Sequence, residues 1–66
     1  MKIFINGVPR ELPEGTTIAA LLAELEVKER HVAVEVNLEL VPRAKHSEHC
    51  LREDDHLEVV TLVGGG

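Results

Sequence analysis

Few residues of this chain could do chemistry, and the first candidate is at its end. The sequence closes on Leu62-Val63-Gly64-Gly65-Gly66, which places one reactive group, the Gly66 α-carboxylate, at the tip of a glycine run. Glycine is costly to order and has no side chain to bury, so such a run neither extends a strand nor fills a core. It makes a thin probe that could thread a narrow channel in another protein. Four residues of extended chain reach about 13 Å past the fold. A merely frayed end would have the same composition. The other candidates are a thiol and a group of imidazoles. Cys50 is the single cysteine, and between a polar loop and Leu51 it reads as a small buried side chain rather than a reactive one. His46 and His49 are spaced by one helical turn, with Cys50 and His56 close by in sequence. Those are zinc-ligand types, but no paired-cysteine knuckle accompanies them, so they read as solvated histidines and no metal site is expected. The chain has neither a phosphate-binding loop nor a nucleophile–base pair.

Composition narrows the classes further. A chain of 66 residues makes one domain, and one this short buries only about 60% of its unfolded surface. Phe4 is the only aromatic, so the core must be aliphatic. The net charge is −5, from 7 basic and 12 acidic side chains. Without a basic cluster or stacking aromatics, neither nucleic acid nor an anionic membrane is an expected partner. The acidity suits a partner with a basic docking surface, or simply a solvated exterior. A lone cysteine fits a reducing compartment. The opening apolar run is too short for a signal peptide, and no stretch approaches a membrane span, so the expected location is the cytoplasm.

The elements that must hold the tail follow from local pattern. Lys2 to Asn6 alternates, with Ile3 and Ile5 on one face and Phe4 on the other. Asn6-Gly7 is a two-residue hairpin turn, because both residues tolerate positive φ. Val8 to Leu12 returns, and Pro9, with no N–H to give, marks an edge strand. The turn pairs Ile3 with Arg10, which puts Arg10 on the inner face; an edge position lets its head reach water, or a bulge near Pro9 turns it away. After a turn at Pro13-Glu14-Gly15, Thr16 or Thr17 caps a helix. Ile18, Leu21, Leu22 and Leu25 form its apolar stripe, Glu24 and Glu26 face outward, and Val27 with the charged run to His31 ends it. Val32 to Val36 is a strand, Asn37 a turn, Leu38 to Val41 extended again, and Pro42 a stop. Arg43 to Cys50 reads as a loop with one short helical turn. Arg52 to Asp55 turns the chain into a last strand, His56 to Val63.

One helix with a single apolar stripe covers one face of one sheet. The order β, β, α, β, β, β lets the first and last strands lie side by side and parallel. This is an α+β fold of the β-grasp type, a mixed sheet of about five strands with the helix packed on one face. It comprises a domain over 1–63 and a flexible glycine tail over 64–66. The last strand is then central, and the tail leaves the body of the sheet directly. Phe4, Val60 and Leu62 face away from the helix and are expected to form one apolar patch. With Val63, this patch lies at the root of the tail and reads as a partner-binding surface.

Three stretches together resemble a family. They are Ile3-Phe4-Ile5-Asn6-Gly7; Val34-Glu35-Val36-Asn37 with Val41-Pro42-Arg43; and Asp54-Asp55 leading through Leu57-Glu58-Val59-Val60 to the glycines. The whole chain is similar to the ThiS-like sulfur carrier proteins of thiamine biosynthesis, which have the ubiquitin-like β-grasp fold. The family's terminal Gly-Gly falls on Gly65 and Gly66, and Gly64 fits the small residue before it. The resemblance implies that an E1-like, ThiF-like adenylyltransferase uses ATP to adenylate the Gly66 carboxylate. A sulfur nucleophile, supplied indirectly by a cysteine desulfurase, then gives a thiocarboxylate. That group donates sulfur to a ThiG-like thiazole synthase for the thiazole ring. The chain would be a protein cosubstrate rather than an enzyme, with no bound cofactor and ATP used by the activating partner. A carrier for molybdopterin or cysteine synthesis, a protein-conjugating modifier, and a β-grasp interaction module with an inert tail are the alternatives.

Overall fold

The computed structural model describes residues 1–61, apart from the side chain of Glu29. Strand β1 (Lys2–Ile5) turns back through Asn6 and Gly7 into β2 (Val8–Glu11). Both turn residues take left-handed backbone, with φ of 50° and 84°, as a type I′ hairpin turn requires. The antiparallel register pairs Ile3 with Arg10 and Phe4 with Pro9, and β2 with its proline lies at the sheet edge. Arg10 faces inward without a bulge, and at the edge its side chain still reaches water, 39% exposed. Its guanidinium donates to Glu24 Oε1 on the helix at 2.8 Å.

Helix α1 (Ile18–Glu24) starts at Thr17, whose hydroxyl oxygen accepts from the Ala20 N–H at 3.1 Å. It ends earlier than its apolar stripe suggests. Glu26 takes φ of 61°, and the chain closes with N–H bonds from Glu26 to the Ala23 carbonyl (3.1 Å) and from Val27 to the Leu22 carbonyl (3.0 Å). That pair of bonds is a Schellman stop. Val27 therefore packs against the core from beyond the helix, rather than ending it. A short 3₁₀ turn, Glu29–His31, leads into β3 (Val32–Val36).

The turn after β3 also differs from expectation. Leu38 is part of it, at φ of 71° beside Asn37 at 52°, so β4 (Glu39–Val41) begins one residue later. A register pairing Val36 with Glu39 leaves just two residues to reverse the chain, and the type I′ turn they form takes both left-handed. Leu38 is 87% exposed there. The expected helical turn in the following loop is Arg43–Lys45.

Strand β5 (His56–Thr61) lies in the middle of the five-stranded order β2-β1-β5-β3-β4. It runs parallel to β1 and antiparallel to β3. The architecture is thus the expected α+β mixed sheet with one helix on one face. The expected continuation of β5 through Leu62 and Val63 lies outside the described residues. Ile3, Ile18, Leu21, Leu22, Val34 and Leu57 are fully buried, and each such aliphatic contributes about 1.5–3 kcal/mol by leaving water.

Two polar residues sit otherwise than their sequence context suggests. His46 is not solvated: it is 1% exposed, with Nε2 3.1 Å from the Val41 carbonyl, to which it donates. The cause is the docking of its loop onto the start of the helix. Ile18 N–H donates to the His49 carbonyl at 3.1 Å, and Ala19 N–H to the His46 carbonyl at 3.0 Å. These bonds satisfy donors that every helix N-terminus leaves open, and they pull His46 inward. Cys50, expected to be buried, is exposed. It bridges Thr17 through the backbone, which turns Leu51 into the core and the thiol outward. Among the described residues no helix is long and apolar enough to cross a membrane.

Candidate functional site: the central strand and the root of the tail

If the tail is the working part, β5 is its mount. Adjacent strands hold it from both sides by alternate residues. The His56 carbonyl accepts from Asn37 N–H at 2.8 Å on the β3 side, and the Leu57 carbonyl accepts from Asn6 N–H at 2.8 Å on the β1 side. Pairing with β3 runs from Val36 opposite Leu57 to Val32 opposite Thr61. Among the described residues, pairing with β1 covers only His56 and Leu57.

Two asparagine side chains grip β5, one at each end, which local sequence pattern does not reveal. The Asn6 carboxamide accepts from Val59 N–H at 2.9 Å and donates to the Val59 carbonyl at 3.1 Å. The Asn37 carboxamide accepts from His56 N–H and donates to Asp55 Oδ1, each at 3.0 Å. The buried Asp55 also accepts from Arg52 N–H at 2.8 Å. The one hint of it is that both turns carry asparagine, where glycine would serve the backbone equally well.

Of the expected docking residues, Phe4 and Val60 lie on the face away from the helix, but apart from one another. Phe4 is half-buried, stacked on His56 with ring centroids 4.5 Å apart and planes inclined by 15°. Lys2 Nζ lies 5.5 Å from the Phe4 ring centroid. Val60 is 54% exposed and pairs with Ala33. It stands four residues along β5 from His56, about 13 Å of strand, with Glu58 between them. The register of the parallel pair explains the separation: Phe4 meets His56, at the start of β5 rather than its end. Phe4 and Val60 therefore share a face without touching. Leu62, Val63, Gly64, Gly65 and Gly66 lie outside the described residues.

The described residues contain no group of three or more His, Cys, Asp or Glu side chains able to hold a metal ion. The chemistry-bearing side chains are dispersed: His46 is inside, Cys50 is at the surface beside the helix start, and His56 is exposed with its ring stacked on Phe4.

The family model described as the ThiS family matches residues 3–66, the fold and the glycine tail together. The chain belongs to the ThiS family. Over 64 residues it is 39% identical to the sulfur carrier protein ThiS of Thermus thermophilus, covering 97% of this chain and 98% of that protein. It is 46% identical over 66 residues to a thiazole synthase of Paramagnetospirillum magneticum, and spans only 20% of that protein's length. Among solved structures, ThiS from Geobacter metallireducens superposes with a TM-score of 0.85 at 29% identity, each chain covered in full. The ThiS fold thus accounts for the whole sheet and helix described above.

Proposed function

We propose that this chain is a sulfur carrier, a protein cosubstrate rather than an enzyme, whose working group is the Gly66 carboxylate. The observation that carries the proposal is the reach of the ThiS-family match. It runs on from the central strand through all three terminal glycines. A carboxylate is a poor acyl donor, because its charge repels nucleophiles and its leaving group would be oxide. Attack of a Gly66 oxygen on the α-phosphorus of ATP expels pyrophosphate and forms an acyl adenylate. A sulfur nucleophile at the sulfide level then attacks the acyl carbon, and AMP leaves with the bonding pair. If sulfur arrives as a persulfide, a second thiol cleaves the S–S bond and becomes part of the resulting disulfide. The product is a thiocarboxylate that can pass its sulfur to an acceptor without free sulfide.

In this reading the ATP site belongs to an E1-like, ThiF-like adenylyltransferase, and a cysteine desulfurase supplies sulfur indirectly. The acceptor is a ThiG-like thiazole synthase, which builds the thiazole ring of thiamine. Sequence similarity to proteins named thiazole synthase favours that branch over molybdopterin or cysteine synthesis. The exposed Val60, with Leu62 and Val63, is the proposed docking strip beside the tail, and Phe4 with His56 is a separate contact point. A reducing compartment such as the cytoplasm would keep the exposed Cys50 a free thiol.

Deletion of Gly65 and Gly66 tests the proposal. The shortened carboxylate sits about 7 Å back along an extended chain. It should fail to gain sulfur when incubated with the adenylating partner, MgATP and a sulfur donor, while the melting temperature stays unchanged. An oxygen-to-sulfur mass gain in the truncated protein would contradict the assignment.

A further inference from the structure

Hydrogen-bonding directions along β5 alternate between its two neighbours. The His56 carbonyl bonds toward β3 and the Leu57 carbonyl toward β1. By the same alternation the polar groups of Val59 point to the β1 side. But β1 ends at Ile5 and the chain turns away through Asn6 and Gly7. The Asn6 carboxamide fills the place that another residue of β1 would have taken. It offers Val59 an acceptor at 2.9 Å and a donor at 3.1 Å, as a peptide group would. From there toward the tail, β5 is held by β3 as far as Thr61. Asn6 is thus the β1-side hold closest to the tail among the described residues.

We infer that Asn6 is a positioning residue for the reaction at Gly66, fixing the strand end from which the tail is measured into the partner. The inference rests on the carrier reading above. Without the carboxamide, Val59 to Thr61 would be held from one side only. A strand end that frays by two residues shifts the start of the tail by about 7 Å of chain. A misplacement of about 1 Å at a reacting atom can cost as much as 100-fold in rate.

The fold supplies its own control. Asn37 is also a turn residue with left-handed backbone, at φ of 52° against 50° for Asn6. Its Oδ1 likewise accepts from a β5 N–H, that of His56 at 3.0 Å. It grips the opposite end of β5, away from the tail. A purely structural role would make the two asparagines equivalent in their effect on the reaction. A positioning role makes them differ.

The experiment compares Asn6→Gly with Asn37→Gly in the full chain. Glycine accepts the left-handed backbone and deletes only the carboxamide. Three quantities are read for each: melting temperature, hydrogen exchange at the Val59 amide, and kcat and KM for sulfur loading by the adenylating partner with MgATP and a sulfur donor. Asn6→Gly should lose protection at Val59, and its loading kcat should fall about tenfold or more with little change in KM. Asn37→Gly should lower the melting temperature at least as much and leave kcat unchanged. The inference is overturned if Asn6→Gly loads at the wild-type kcat, or if Asn37→Gly loses as much as Asn6→Gly so that loading tracks stability. A wild-type chain that takes up no sulfur sinks the carrier reading and the inference with it; either of the former results sinks the inference alone.

Discussion

Replacing Glu26 with glycine should make this protein more stable, although it removes a side chain and adds flexibility. Glu26 is the residue that stops the helix, at φ of 61°, with its N–H on the Ala23 carbonyl. An L-residue in that region carries a cost of about 1–2 kcal/mol, from the clash of Cβ with the backbone. Glycine escapes the clash, but it loses about 0.4–1 kcal/mol to the greater freedom of the unfolded chain. A negative charge beyond a helix C-terminus adds a small penalty, and removing it returns about 0.3 kcal/mol at this exposed position. The net gain is about 1 kcal/mol, and in a domain of this size that raises the melting temperature by about 4–8 °C. Thermal unfolding of Glu26→Gly beside Glu26→Ala is the assay, since alanine keeps the backbone cost while removing the charge. If alanine stabilises as much as glycine, charge and not backbone strain is the cause, and the account of the helix stop is wrong. Sulfur loading should be unchanged in both.

Other perturbations have equally definite outcomes. Asp55→Ala should destabilise by about 2–3 kcal/mol, because it strands the Arg52 N–H and the Asn37 amide that the buried carboxylate satisfies; denaturant unfolding reads this directly. Val60→Ala should weaken binding to the adenylating partner by about 1 kcal/mol or more with the melting temperature nearly unchanged, since the residue is 54% exposed; calorimetric titration would show equal affinities if the docking strip is misplaced. Cys50→Ala should load sulfur at the wild-type rate, because the exposed thiol has no part in the proposed reaction; lost loading in a variant with an intact circular dichroism spectrum would give it one.

Features written in local pattern are legible in the sequence itself. The Asn6-Gly7 turn sets the pairing of Ile3 with Arg10, and Thr17 is one of the two caps the helix start allows. Order and length then leave little choice but a central last strand. What is not legible depends on contacts distant in sequence. His46 looks like any histidine in a polar loop, and only the bonding of that loop to the helix start takes it inside. The same docking decides that Leu51 goes inside and Cys50 outside. Glu26 and Leu38 occupy left-handed positions where glycine or asparagine would have announced the turn. The distance between Phe4 and Val60 is a matter of register: alternation places both on one face, but only the pairing of Phe4 with His56 shows how far apart they are. The side-chain grips of Asn6 and Asn37 on β5 join residues far apart in the chain, which no local pattern encodes.

In the proposed reaction sulfur rides on the terminal carboxylate. The most direct test is to locate the atom. The wild-type protein is incubated with the adenylating partner, MgATP and a sulfur donor, then weighed intact and fragmented in the mass spectrometer. One oxygen should be exchanged for sulfur, in the fragment that ends at Gly66, and the exchange should survive a thiol reductant. Added sulfur that maps to Cys50 and is lost on reduction, or an unchanged mass under conditions where the partner consumes ATP, would contradict it.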